Sequence, residues 1–509
     1  MVATLGLRRS PAALPSLSRA FNSVDKRFFS AKSDESRLLV QKFGGTSLGT
    51  AEKMEKVRNI ISSHYNEEKG QNVVAVVSAL SSETKEEGTT SRLLAAASGA
   101  VAQGEYLSFL EKIEDTHMEV IYSMLNDRKN REEAKQFVQS ELDRTRSFCE
   151  SLGVIREISP RSHDMVIGCG ERLSAGLTAA VLREMGLRAV NVDLSKAFPS
   201  GLDTHRRSYQ HTAKRVFGSL LKPVLKENAI PVVTGFFGSV EGGIIKGVGR
   251  GYTDLTAALC AGALNATELQ VWKESDGVFT GHPGRIEDAR LLSLITPEEA
   301  SELTYFGNEV LHASVLDCAI EDKVPINILN TFKPETGGTS IAPASAEQLV
   351  SLRGPKCQGI AAVCSKKGVP VLNLMSNRML DSTSFLATVF EKFAAHRVKA
   401  DLVSTSVSNI TVTLHESTTK DAIKTLIADL EELGHVDFSS NRCIVSCIGA
   451  GMKHQRGLAS NVFHALSHAG ISLEMISQGV NETNISVVLP EEQMLDAINV
   501  IHHKFLSQP

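Results

Sequence analysis

A chain of 509 residues, 42% of them hydrophobic, has room for two or three domains of roughly 100–200 residues each. A net charge of −4 argues against a nucleic-acid surface or a basic membrane patch, and no apolar run reads as long enough to cross a bilayer. The eight cysteines lack paired metal-ligand spacing and read as reduced, structural thiols of an intracellular globular protein.

The first 33 residues differ from the rest: Arg8, Arg9, Arg19, Lys26, Arg27 and Lys32 stand against a single acid, Asp25, among six serines. That Arg-rich, Ser-rich and acid-poor composition is typical of an organelle transit peptide, and Arg27-Phe28-Phe29-Ser30 looks like a mitochondrial processing site. Residues 1–35 are therefore expected to direct the protein to mitochondria or another organelle. The alternative is a disordered tail on a cytoplasmic protein.

Leu38-Leu39-Val40 reads as a buried strand and Ala51 to Arg58 has helical periodicity. Between them runs Gln41-Lys42-Phe43-Gly44-Gly45-Thr46-Ser47: a strand ending in lysine, two glycines, two hydroxyl residues, then a helix. Glycines let backbone approach a phosphate, and a helix N-terminus adds unpaired N–H donors. The spacing is not that of a Walker A loop. Further strands are expected at 72–78, 165–168, 189–192, 230–234, 268–272 and 325–328, with a helical insertion over 104–150. Strands alternating with helices predict an α/β fold with a mostly parallel sheet covered on both faces. Thr296-Pro297-Glu298-Glu299 is a helix start with its capping box.

Residues 344–356 read as a linker that closes a first domain over 36–343. Beyond it, over 357–509, lies an internal repeat of roughly 73 residues. Phe385 to Phe390 pairs with Gly457 to Phe463, Val398 to Ser404 with Ile471 to Ser477, and Asn409 to Val412 with Asn484 to Val487. Two small α+β modules in tandem are expected.

Ligands of open α/β sheets bind beyond the carboxyl ends of the strands. If Val77-Ser78, Gly168-Cys169-Gly170-Glu171, Gly235-Phe236, Gly249-Arg250-Gly251-Tyr252-Thr253-Asp254 and Trp272-Lys273-Glu274 all lie at such ends, Lys42, Glu171, Arg250 and Asp254 share one rim. Two cations, two carboxylates and several glycine turns suit an anionic substrate with a metal polyphosphate, hence phosphoryl transfer. Taken singly, Glu171 could instead pair with Arg172, Asp254 could cap a helix, and Trp272 reads as core.

Lys-Phe-Gly-Gly-Thr-Ser at 42–47, Gly-Glu-Arg-Leu-Ser at 170–174, Gly-Arg-Gly-x-Thr-Asp at 249–254 and Trp-Lys-Glu-x-Asp-Gly at 272–277 together resemble aspartate kinase, in the family's order. The repeat resembles that family's paired ACT domains. Lys85 to Arg92 is most similar to its fungal-type, monofunctional branch, and the chain is too short to add a homoserine dehydrogenase.

The resemblance implies a three-layer αβα amino-acid-kinase fold followed by two ACT domains. It also implies transfer of the ATP γ-phosphoryl to the β-carboxylate of L-aspartate, on the route to threonine, methionine, isoleucine and, as a further branch, lysine. Lys42 and Asp254 match the catalytic pair. Thr46, Ser78, Thr90, Glu171, Phe236 and Arg250 match aspartate-binding positions. Gly44, Gly45, Ser47, Lys273, Glu274, Asp276, Phe279 and Arg285 match nucleotide positions. Mg2+ is expected on ATP, with no protein metal site. Met379, Ser382, Phe385, Leu386, Asp401, Ser406, Asn481 and Asn484 match effector positions for threonine or its rival lysine; Phe385 and Leu386 read equally as core. ACT modules imply a homo-oligomer.

The chain departs from the family in three places. His282 and Gly284 replace an acid and an arginine in the 280–285 loop, His312 lacks its usual following proline, and Val407 stands where glutamate is common. A catalytically silent amino-acid sensor and another amino-acid kinase are the rival readings.

Overall fold

The computed structural model describes residues 37–81, 87–198, 201–203, 209–249, 251–306, 311–376, 382–406, 408–453, 455–479 and 483–507. The first unit runs β1 (Leu38–Phe43), α1 (Ala51–His64), β2 (Asn72–Val77), α2 (Thr89–Val101), α3 (Leu107–Met124), α4 (Arg128–Ile155), α5 (Pro160–Glu184), β3 (Ala189–Val192), α6 (Tyr209–Lys226) and β4 (Ile230–Thr234). It continues through α7 (Ile244–Gly247), α8 (Tyr252–Leu264), β5 (Glu268–Lys273), β6 (Leu294–Ile295), α9 (Pro297–Tyr305), α10 (Ala313–Asp322), β7 (Ile326–Asn330) and β8 (Thr339–Ile341).

The sheet order is β3-β4-β2-β1-β5-β7-β8-β6, with every neighbouring pair parallel except β7 and β8. Both faces are apolar. Val40, Val74, Val76 and Leu269 pack toward α8, while Phe43, Val73, Ala75 and Val77 pack toward α5. A strand such as Asn-Val-Val-Ala-Val-Val is continuously hydrophobic because it is covered twice. β1 is central: the chain builds outward through β2 and β4, then returns to β5 on the other side. The crevice beside β1 is thus the topological switch point.

The strand expected at 165–168 does not exist. Those residues lie inside α5, a helix of 25 residues capped by Ser159, whose hydroxyl accepts from the Ser162 amide, and started by Pro160. Its apolar residues continue around the whole helix because α5 is wedged between the sheet and α2–α4, so a four-residue apolar run could not distinguish helix from strand. Among the described residues α5 is also the one helix long and apolar enough to cross a membrane. Its apolar window is 94% buried within the fold, as befits a core helix interrupted by Glu171 and Arg172.

The stretch 344–356 is no free linker. It contains α11 (Ala346–Arg353), started by a capping box between Ser345 and Gln348, a signal that composition alone concealed. The second unit follows as β9 (Ala362–Met375), α12 (Ser382–Ala395), β10 (Ala400–Thr405), β11 (Asn409–Leu414), α13 (Lys420–Glu431), β12 (His435–Ile448), α14 (Leu458–His468), β13 (Met475–Gln478), β14 (Asn484–Pro490) and α15 (Met494–Ile501). These strands form one antiparallel sheet, β10-β11-β9-β12-β14-β13.

The two modules are nested where a tandem was expected. β9 and β12 are each 14 residues long and serve both modules. Ala362 to Lys367 pairs with Cys443 to Ile448, and Val371 to Met375 pairs with His435 to Ser439, with a register shift between. Two separate cores follow: Val363, Val445, Val487 and Leu466 in one, Leu372, Val412, Leu426 and Val436 in the other. The repeat was correctly legible, but a long strand shared by two repeats has no local signature.

Helix α9 ties the units together by residues three apart on one face. Glu299 is fully buried, paired with Arg353 at 2.7 Å, and accepts the Ala450 amide at 2.6 Å. Glu302 accepts from Asn484 Nδ2 at 2.9 Å, and the Tyr305 hydroxyl donates to Asp401 Oδ1 at 3.2 Å. Removing one partner of a buried ion pair strands the other charge. Arg353→Ala should therefore lower stability by about 3 kcal/mol or more, measured by denaturant unfolding of the whole chain. A double change to Arg353→Met with Glu299→Leu should lose distinctly less.

Candidate active site

β1 delivers Lys42 to the switch point, in register with Val76 of β2 and Val271 of β5. Its Nζ lies 2.7 Å from Asp254 Oδ1, both side chains nearly buried. Asp254 comes from the first turn of α8, whose N-cap Gly251 supplies no side chain to cap the helix. Burial pushes the Asp254 carboxyl up, but Lys42 and Lys273 outweigh it and hold the group below its usual value. An aspartate whose carboxyl is held below its usual range by two lysines, at a helix N-terminus, can organise cations around a polyanion.

The glycine turn is a single 3-10 turn at Gly45–Ser47. A Cβ on Gly45 would stand 2.2 Å from the Ala79 carbonyl, so only glycine allows this approach; the Ser81 amide returns a bond to Gly45 at 3.0 Å. Lys42 Nζ lies over Gly44, 3.7 Å from where a Cβ would be. Thr46 donates to Glu274 at 3.3 Å, linking this turn to the end of β5. Ser47 faces away: it is fully buried and bonded to Thr331 at 3.0 Å, so it braces the turn and is not available to a nucleotide.

Glu171 reaches the site from the middle of α5, not from the strand end that was expected. Gly168 and Gly170 make this possible by letting Phe236 and Ala79 pack directly on the helix. Glu171 is 1% exposed; its Oε1 accepts from Thr253 at 3.2 Å, and Ser78 donates to Thr253 at 3.1 Å. Oε2 makes no well-formed hydrogen bond among the described residues. Burial pushes the Glu171 pKa up to about 7, with the Tyr252 and Thr253 hydroxyls and the Phe236 amide acting the other way. A buried carboxylate with an unfilled acceptor fits a cationic group.

Phe236 is a buried wall, edge-on to Tyr252 at 6.4 Å. Thr90 sits half-buried in the first turn of α2, next to Thr89, whose amide bonds Leu80 in the segment packed on Gly45. Arg250 lies outside the described residues; Gly249, at φ +103°, and Gly251 frame its position. The relay through Tyr252 and Thr253 went unassigned in the sequence, although both stand inside the Gly-Arg-Gly-x-Thr-Asp motif.

Among the expected nucleotide residues, Lys273 joins Lys42 in the field around Asp254, and Asp276 accepts from Asn330 at 2.6 Å. Phe279 is half-buried and bridges to Leu291. Arg285 is engaged elsewhere: it donates to Ser365 of β9 at 3.0 Å. The loop that carries it is anchored on the second unit, where Ile286 enters the core and Thr280 contacts His502 at 2.9 Å. Among the described residues no group of three or more His, Cys, Asp or Glu side chains could hold a metal ion.

The expected effector residues are similarly divided. Phe385 is core and Leu386 packs against it. Asp401 is buried, paired with Lys366 at 2.7 Å and bonded by Tyr305, and Asn484 is held by Glu302, so these two join structural elements. Ser406 is exposed, its amide bonded to the Asn409 carbonyl, and Ser382 opens α12. Met379, Asn481 and the substituted Val407 lie outside the described residues.

Glu171 carries a stability signature. Its folded pKa of about 7 lies above the ordinary 4.5, so between those values the unfolded chain releases a proton that the folded chain keeps. This contribution to stability falls as pH rises from about 4.5 to 7. Glu171→Gln should remove a decline on the order of 3 kcal/mol, read as the parent-minus-variant difference in unfolding free energy between pH 4.5 and 7.5.

The chain as a whole is similar to known proteins. Residues 37–330 match the amino acid kinase family and 445–505 match an ACT domain. The chain is 38% identical to the aspartokinase of Candida albicans over 98% of its own length and 96% of that protein's. Two solved Escherichia coli structures, aspartokinase III with aspartate and ADP and the same enzyme with lysine and aspartate, are each 26% identical. Each covers 92% of this chain, and they account for 99% and 100% of their own chains at TM-scores of 0.71 and 0.70. With a nearly buried Lys42–Asp254 salt bridge at the switch point, a nested pair of ACT modules behind it, and a fungal aspartokinase matched end to end, the chain belongs to the aspartokinase family.

Proposed function

We propose that the protein transfers the γ-phosphoryl of ATP to the β-carboxylate of L-aspartate, giving 4-phospho-L-aspartate, and that an end-product amino acid inhibits it through the ACT modules. The observation that carries the reading is the 2.7 Å Lys42–Asp254 pair beside the glycine turn. A carboxylate acceptor, with a pKa of about 3.9, is ionised at neutral pH and needs no general base. The chemical problem is to bring one anion onto another, so positioning and charge neutralisation are the tasks.

Lys42 and Lys273 supply cations for the phosphates, and Gly44 and Gly45 let backbone approach them. Asp254 keeps the lysines ordered and removes no proton. Glu171, with its unfilled Oε2, suits the α-ammonium of aspartate, and Arg250 suits the α-carboxylate as a bidentate fork. The donor set fits a nucleotide that brings its own Mg2+, which would help neutralise the phosphate charge while Lys42 and Lys273 hold the rest. Threonine is the favoured effector from the likeness to a fungal aspartokinase; lysine, present in an Escherichia coli neighbour, is the rival. Self-association through the ACT sheet and targeting to mitochondria by residues 1–35 complete the proposal.

The test is aspartyl-hydroxamate formation by the full chain, dependent on ATP and Mg2+, with and without threonine or lysine. Lys42→Ala should reduce turnover by about 10^2–10^3 or more. ATP and threonine binding without any product would replace this reading with that of an amino-acid sensor. A second expectation concerns pH: kcat/KM for aspartate should rise through about pH 7 as Glu171 ionises in the free enzyme, and Glu171→Gln should flatten that limb.

A further inference from the structure

The face of the first sheet toward α1 breaks the rule that a doubly covered parallel sheet is apolar on both sides. Gln41, Gln270, Asn327 and Ser340 are register partners on β1, β5, β7 and β8, so their side chains cross the sheet in one polar row. Gln41 Nε2 donates to Gln270 Oε1 at 2.8 Å, and the Ser340 hydroxyl donates to Asn327 Oδ1. Gln270 Nε2 donates in turn to Glu268 at 2.8 Å, and Glu268 is paired with Arg37 at 2.9 Å. The row does not satisfy itself. Gln41 is fully buried with no partner for Oε1, and Asn327 Nδ2 carries no bond among the described residues. A half-satisfied polar row inside a sheet costs stability, and folding alone gives no reason to keep it.

Over the row lies a groove of about 600 Å³ between α1 and the turn at 331–337, a size within the range of small-molecule sites. Trp272 and Leu329, the next register pair along β5 and β7, form its apolar floor, and Phe332 forms a wall. Lys56 Nζ stands 5.2 Å from the centre of the Phe332 ring; its ion-pair partner Glu52 is largely exposed, so that pair is weak. Arg37 and Glu268 neutralise each other, which leaves Lys56 as the spare charge of the groove. Ser63 and His64 bring the last turn of α1, the negative end of its dipole, to the same groove, which opposes a dianion. Along β7 the order is a free amide donor at Asn327, the apolar Leu329, then Thr331 and Phe332 beside the cation, spread over roughly 13 Å.

We propose that this groove binds a small aromatic monocarboxylate with a hydrogen-bond acceptor at the far end of its ring. The ring lies on Trp272 and Leu329, the carboxylate meets Lys56, and the acceptor meets Asn327 Nδ2. The site is on the opposite face of β1 from Lys42, because side chains alternate along a strand, and it does not rest on the kinase reading. It backs onto the glycine turn all the same: Trp272 stacks on Phe43 at 6.2 Å, and Thr331 bonds Ser47 at 3.0 Å.

The chain has a single tryptophan, and it lies in this groove, so Trp272 emission excited at the red edge of its band reads occupancy in the full chain. para-Hydroxyphenylpropionate should change that emission saturably. Its Kd should be lower by about fivefold or more than that of phenylpropionate, which lacks the acceptor, and than that of para-hydroxyphenylpropanol, which lacks the charge. Asn327→Leu should erase the first difference and leave the second, and Lys56→Gln should do the reverse. If Asn327→Leu does not fold, Asn327→Asp takes its place, since it keeps the shape and the Ser340 bond and deletes the donor. No saturable change, equal affinity for the three probes, or the parent's pattern in both variants overturns the proposal. Equally tight binding of para-hydroxyphenyl phosphate overturns the monocarboxylate class.

Discussion

The pairing of Lys42 with Asp254 is the interaction on which the site depends. It joins the end of the central strand to the start of a helix more than 200 residues later, and it is nearly buried. A lysine and an aspartate removed from water on their own would each shift toward neutrality; together, with Lys273 adding a second positive charge, the aspartate stays ionised. The glycine turn, the open N-terminus of α8 and the crevice beside β1 are then arranged around a charge cluster already balanced for an anionic ligand.

Glu171 is the contrast. It too is buried, yet among the described residues it forms no ion pair, and burial pushes its pKa up to about 7 against the weaker pull of its hydroxyl and amide donors and of Lys42. Two carboxylates a short way apart on the same crevice are thus held in different states by their neighbours. One is matched by lysines inside the protein; the other has an acceptor oxygen to offer a ligand. The division corresponds to the two halves of a phosphoryl transfer, in which one side must hold a polyanion and the other must recognise an amino acid.

The regulatory unit is connected to this site by particular bonds, not by a hinge. α9 meets both modules through Glu299, Glu302 and Tyr305, and the loop after β5 is anchored on β9 and the C-terminal helix through Arg285 and Thr280. Because β9 and β12 run through both modules, a shift in one half of the sheet is carried into the other by continuous backbone. Asp401, Asn484 and Arg285, which their motifs assigned to ligands, act in the structure as joints between the two units.

What the sequence by itself determined is what local rules govern: the glycine turn after β1, the strands at 189–192 and 230–234, the capping box at Thr296, the repeated module and the family motifs with their order. Tertiary structure decided the rest. The apolar run at 165–168 became helix because α5 is buried almost throughout from Val166 to Leu182, a circumstance that four residues cannot reveal. Ser47 turned inward to Thr331, and Arg285 turned to Ser365, because partners more than 70 residues away compete for the same hydrogen bonds. Motifs name residue types that suit a chemistry; which of them face the ligand is settled by packing, because each buried polar group must be satisfied by whatever neighbour the fold supplies.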